Sequence, residues 1–106
     1  MINTEGKTIH PLPEVFEGRG DMSGIKFVKD KESELAVIYR CYGEEYMFYE
    51  VFKKKLVPIL ISFEERLYSE TDLKYTYPKT ENFGEWAFTY NDYNKAINKF
   101  NELSEL

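Results

Sequence analysis

A chain of 106 residues with 42% apolar and 17% aromatic side chains can build one hydrophobic core but is too short for two. Its 14 basic and 19 acidic side chains give a formal net charge of -5, which disfavours a nucleic-acid backbone, since that partner rewards clustered positive charge. The single cysteine, Cys41, excludes an intrachain disulfide and reads as a small buried residue, and no apolar run approaches the roughly 18 residues that a membrane span needs.

In chain order, residues 1–13 mix polar groups with Gly6, Pro11 and Pro13 and predict a flexible N-terminal arm ahead of a single α+β domain over 14–106. The start lacks the basic, apolar and small-residue zones of a signal peptide, so cytoplasmic residence is expected. Gly18, Gly20 and Gly24 mark a turn or bulge-bearing loop. Ile25–Lys31, Leu35–Tyr42 and Tyr46–Lys53 each alternate between two faces, with polar turns at Asp30–Glu34 and Gly43–Glu45, and so predict a three-strand meander.

The middle is ambiguous. Lys54–Ser69 holds a β-like run through Ile61, then a tail (Phe63, Leu67, Tyr68 with Glu64, Glu65, Arg66) that fits a short helix and an extended chain alike. Leu73–Tyr77 reads as a strand stopped by Pro78, and Glu85–Tyr90 as a strand whose Trp86, Phe88 and Tyr90 form the densest aromatic face, expected at the centre of the sheet. A helix is predicted from about Asp92 to Leu103, with Asn91 or Asp92 as N-cap and Tyr93, Ala96, Ile97, Phe100 and Leu103 as one apolar stripe. The predicted fold is thus α+β: an antiparallel, meander-like sheet of about five to six strands under a C-terminal amphipathic helix, whose stripe covers Trp86 and Phe88.

Groups that could carry chemistry are few. His10, the only histidine, lies in the arm, and the pairs Glu44-Glu45 and Glu64-Glu65 are adjacent residues that point to different sides of a strand or helix. No metal-ligand spacing and no strand-loop-helix phosphate motif occurs, so no cofactor and no catalytic residue is expected; Glu50 or Glu85 in a closed cleft would revive an enzyme reading. Arg19-Gly20-Asp21 is a short adhesion-type tripeptide that is better read as a solvent-facing turn. Lys53, Lys54 and Lys55, with Tyr46 and Tyr49, form the one basic and aromatic cluster suited to single-stranded nucleic acid, although lysines also guard sheet edges.

Nine tyrosines and eight phenylalanines exceed what one small core hides, and tyrosine favours surfaces that bind other proteins. The binding candidates are therefore Arg19, Asp21, Tyr46, Tyr49, Lys53, Lys54, Lys55, Glu64 and Glu65. With the helix assigned to stability, function is expected on the opposite sheet face, the Gly18–Gly24 loop, or the segment from Lys53 to Asp72.

At Gly18–Gly24, Tyr49–Lys53 and Tyr77–Phe88 the chain resembles small uncharacterised proteins of bacterial mobile elements and phages. The resemblance covers most of residues 14–103, with 56–72 resembling an insertion, and it implies an accessory or counter-defence protein without supplying an active site. The expectation is a non-catalytic factor that binds or inhibits a host protein through an acidic, tyrosine-rich face, with a small nucleic-acid-binding module as the alternative and homodimerisation open.

Overall fold

The nearly continuous apolar run over 36–41 has a simple origin: this segment is buried on both sides. In the computed structural model, which describes residues 4–105, Ala36, Val37, Ile38, Tyr39 and Cys41 are all 0% exposed. The described residues form eight strands in two mostly antiparallel sheets, and one C-terminal α-helix. It divides into two units, Pro13–Lys54 with the segment that begins at Pro78, and Lys55–Tyr77 with the segment that ends at Leu12.

The first unit holds β2 (Val15–Glu17), β3 (Lys26–Glu32), β4 (Ala36–Tyr42), β5 (Met47–Lys53) and β8 (Ala87–Tyr90), in spatial order β2-β3-β4-β5-β8. Each strand pairs antiparallel with its neighbour, so β3 to β5 are the expected three-strand meander, to which β2, not expected as a strand, adds an edge. The centre is β4. The aromatic strand β8, expected there, is instead an edge, because its one ladder runs to β5.

Helix α1 (Tyr93–Ser104) starts at Asp92, whose carboxylate accepts the backbone N–H groups of Asn94 and Lys95. That satisfies two of the donors that a helix start leaves unpaired and places negative charge at the positive end of the dipole. Ala96 and Phe100 pack on Ala36, Ile38 and Val51, with Ile97, Leu103, Tyr49 and Tyr90 around them. The expected stripe is therefore the buried one, and Phe88 does lie on the helix side, with Lys99 Nζ 4.5 Å from its ring centroid. Trp86 does not. It precedes β8, its backbone carbonyl accepts from Lys53 N–H, and its ring meets Phe52 edge-on at 6.3 Å. Phe52 belongs to the other face, one step along β5 from Val51.

That other face is a row of rings. Phe16 stacks on Phe27 at 4.6 Å and meets Tyr39 edge-on at 5.5 Å, and Tyr39 stacks on Phe52 at 6.0 Å. With Phe27 at 2% and Tyr39, Cys41 and Phe52 at 0% exposure, it is core and not the free surface expected opposite the helix. Cys41 is buried as read.

The second unit is a three-stranded sheet in the order β1 (Thr8–His10), β7 (Leu67–Tyr75), β6 (Leu56–Ser62). β1, from the segment read as an arm, lies parallel to β7, with Ile9 opposite Leu73 and His10 Nε2 3.4 Å from Asp72 Oδ1. β6 and β7 form a hairpin whose register slips between Pro58 and Leu60 and again between Leu60 and Ser62. The first slip is held by Ser69, whose Oγ accepts the N–H groups of Thr71 and Asp72 at 3.2 and 2.9 Å. A hydroxyl that caps its own following backbone in this way takes the place of ladder bonds. Residues 63–69 are thus a turn followed by strand, and the helical alternative is not adopted.

Candidate functional site

The segment 60–68 combines the longest exposed apolar run with two of the acidic candidates. Leu60 pairs with Tyr68 and Ser62 with Leu67, which brings the ends of β6 and β7 together around the turn Phe63-Glu64-Glu65-Arg66. Arg66 N–H donates to Phe63 O at 3.2 Å, and Glu65 N–H donates to Ser62 Oγ at 3.3 Å, so the turn is closed by its own hydrogen bonds. Arg66 holds φ 52°, a left-handed conformation that costs a side-chain-bearing residue about 1 kcal/mol.

What the turn presents is unusual for a protein surface. Phe63 is 83% exposed, Ile61 62%, Tyr68 52%, Leu67 48% and Leu60 41%. Single exposed apolar residues need no account, but five within nine positions, spread over both faces of one hairpin end, concentrate apolar surface in the way that marks interaction sites. Glu64, Glu65 and Glu70 flank it against one cation, Arg66, and all four are exposed. The tip is apolar with a negative rim.

The other candidates are dispersed. Arg19 and Asp21 are exposed on a short 3-10 turn at Gly20–Met22 between β2 and β3; Gly20 there has φ 58°, so the tripeptide's glycine meets a backbone need. Tyr46 is 58% exposed, stacks on Phe48, and has its ring where a side chain on Gly43 would stand. Tyr49 is half-buried and tilted against Tyr93 at 5.2 Å. Tyr46 lies just ahead of β5 and stacks on Phe48, whereas Tyr49, the next residue of β5 after Phe48, points to the opposite face.

Lys54 is likewise occupied: its Nζ donates to Ser33 O at 3.1 Å, lies 2.9 Å from Glu32 Oε2, and is part of a side chain only 10% exposed. Lys53 is exposed at the end of β5, and Lys55 is exposed in the other unit. The structure thus brings together Glu64 and Glu65 but not the lysine-tyrosine group. Of the two acids that bore on an enzyme reading, Glu50 is buried at 5% and Glu85 is exposed. Among the described residues no set of three or more His, Cys, Asp and Glu side chains could hold a metal ion, and no helix is long and apolar enough to cross a membrane.

Sequence reasoning counted the segment from Lys53 to Asp72 among the regions expected to carry function but did not single out Leu60, Ile61, Phe63, Leu67 and Tyr68. Their signal was present as an apolar run with no polar alternation, which reads as a core strand until the partner strand is known to leave it uncovered. Comparisons with known protein families, with curated proteins and with solved structures found no match.

Proposed function

We propose that the protein is a non-catalytic accessory factor, phage- or plasmid-encoded and cytoplasmic, that binds a host protein by inserting the β6–β7 tip into an apolar cleft with a basic rim. The observation that carries this reading is the 83% exposure of Phe63 at the apex of a turn fixed by its own hydrogen bonds. A large ring held in water on a preorganised turn gains free energy chiefly when a partner covers it.

The magnitudes bear on how such a tip would work. Covering five large apolar side chains is worth about 2 kcal/mol each, or about 10 kcal/mol gross. Association costs on the order of 4–15 kcal/mol, so apolar burial alone gives weak binding at best. The carboxylates at Glu64, Glu65 and Glu70 then set partner choice and encounter rate, both of which favour a cationic rim. The resemblance of residues 56–72 to an insertion in a phage-type pattern fits a binding element added to a stable sheet.

Immobilised wild-type protein and the double variant F63D/L67D, exposed to host lysate at two salt concentrations, test the reading. A saturable protein retained by the wild type and absent from the double variant supports it. Identical retention by both, or retention of nucleic acid alone, overturns it.

A further inference from the structure

Strand β6 is the outer strand of its sheet: its one ladder runs to β7, and no strand lies beyond it among the described residues. Lys55 C=O accepts Thr76 N–H at 2.9 Å, so the main-chain groups of 55 point toward β7, and the register repeats this at Val57 opposite Lys74. Those of Leu56 and Pro58 therefore point away from β7. Leu56 offers a donor and an acceptor there, and Pro58 an acceptor alone. An edge of such groups is a template for one more strand.

Exposure points to the same edge. Leu60 and Ile61 on β6, at 41% and 62%, and Leu67 and Tyr68 on β7, at 48% and 52%, are neighbours in sequence that are exposed together. Successive strand residues face opposite sides, so this end of the hairpin is open on both faces. A partner packed on one face covers one residue of each pair. A strand laid along β6 extends both faces at once and reaches Leu60 and Ile61 together.

Charge names the occupant. β6 carries none from Leu56 to Ser62; Lys55 precedes it, and Lys74 stands opposite Val57 at the same end. Glu64, Glu65 and Arg66 form the turn, Glu70 lies in the slipped part of β7, and Asp72 faces His10. The base of the hairpin is thus basic and its tip carries the acids. Two copies laid β6 to β6 in parallel would set lysine beside lysine and glutamate beside glutamate. Laid antiparallel, each acidic turn meets the Lys55 and Lys74 end of the other. We propose that β6 pairs antiparallel with β6 of a second copy, which closes a six-stranded sheet and holds the two turns at its opposite ends. Such a two-fold contact uses each edge once and does not propagate. Its seven residues span roughly 24 Å, and Pro58 cannot donate in either copy, so the ladder is short and association depends on concentration. The pairing leaves Phe63 beyond the strand end and gives one dimer two tips, which raises its avidity for a partner with two clefts.

Sedimentation velocity on the full chain, from micromolar to millimolar and at low and high salt, reads the association, with a melting curve for every variant. A monomer–dimer equilibrium that weakens with salt is expected, and amide exchange at Leu56 should slow as dimer forms while that at Val57, which already faces β7, stays constant. E64K/E65K should weaken dimerisation about tenfold or more, and adding K55E/K74E to the same chain should restore it, since the order of charge is then reversed at both ends. Leu56→Pro removes the outward donor without touching the β7 ladder and should also cost about tenfold or more. A monomer throughout, a dimer indifferent to E64K/E65K and to Leu56→Pro, or a folded four-site variant that stays monomeric would overturn the proposal. Retention of a lysate protein by a chain that remains monomeric would overturn it too, and would leave the role of the tip in host binding standing.

Discussion

The hydroxyl of Tyr93, in the first turn of the helix, donates to Asp30 Oδ2 at 2.9 Å across 63 residues of chain, while Oδ1 of the same carboxylate holds Arg40. The β3–β4 ladder slips between Lys29 and Lys31, and the extra residue is Asp30. A bulge re-aims a side chain. Here it joins β3, β4 and α1 at a carboxylate that is only 6% exposed.

Tyr93→Phe removes one hydrogen bond to a charged acceptor and should cost about 1.5 kcal/mol. Asp30→Ala strips Arg40 and Tyr93 of their partner together and should cost more, about 2–3 kcal/mol. Thermal melts followed by far-UV circular dichroism rank the two, at about 4–8 °C per kcal/mol. A smaller loss for Asp30→Ala than for Tyr93→Phe would contradict the joining role.

Asp92→Ala should lower stability by about 1 kcal/mol by exposing the N–H groups of Asn94 and Lys95. Phe100→Ala, which opens a cavity against Ile38 and Val51, should cost about 3–5 kcal/mol. Urea unfolding gives both values, and a Phe100 effect no larger than that of the cap would mean the stripe is not the helix's anchor.

Where residue spacing and hydrogen bonding agree, the fold is legible from the residues alone. Leu35–Tyr42 and Tyr46–Lys53 alternate without interruption, and Asp92 followed by the stripe marks a helix that forms within a residue or so of its predicted bounds. Legibility fails where a bulge breaks the period. The slip held by Ser69 and the turn at Phe63 put Phe63, Leu67 and Tyr68 at helix-like spacing by accident, so strand β7 was visible only at its end. Trp86 misleads for a similar reason: Gly84 N–H bonds Ala87 O, and the turn so closed carries Trp86 off the alternation of β8. Of the candidate site, Glu64 and Glu65 were legible as charge, whereas the exposure of their apolar neighbours depends on pairing that no single segment encodes.

Stability should fall on the acid side through Glu32. Burial works against its charge, but hydrogen bonds from Lys54 and Lys29 prevail and hold its carboxyl below the ordinary value of 4.5. A depressed folded value means that the unfolded chain binds the proton first. The contribution is therefore complete above about pH 4.5 and is lost as pH falls through the lower folded value. Lys29 has the opposite sign: burial opposes its charge, yet bonds to Glu32 and Glu14 raise it, so its contribution is complete below pH 10.5 and fades above. Urea midpoints for wild type and Glu32→Gln should differ at pH 7 and converge toward pH 3, and curves that stay parallel would exclude this network as the cause.

Phe63→Asp separates folding from binding. At 83% exposure the ring gives the fold little that water does not, so the substitution should move stability by no more than about 0.5 kcal/mol. Val51→Ala in the core, at 0% exposure, should cost about 2 kcal/mol and leave the tip intact. If the tip is the docking element, Phe63→Asp abolishes partner retention at unchanged melting temperature, while Val51→Ala lowers the melting temperature and retains the partner at 20 °C. The reverse pattern would move the function off the hairpin, because a site that fails only when the core loosens depends on the sheet as a whole and not on one exposed ring.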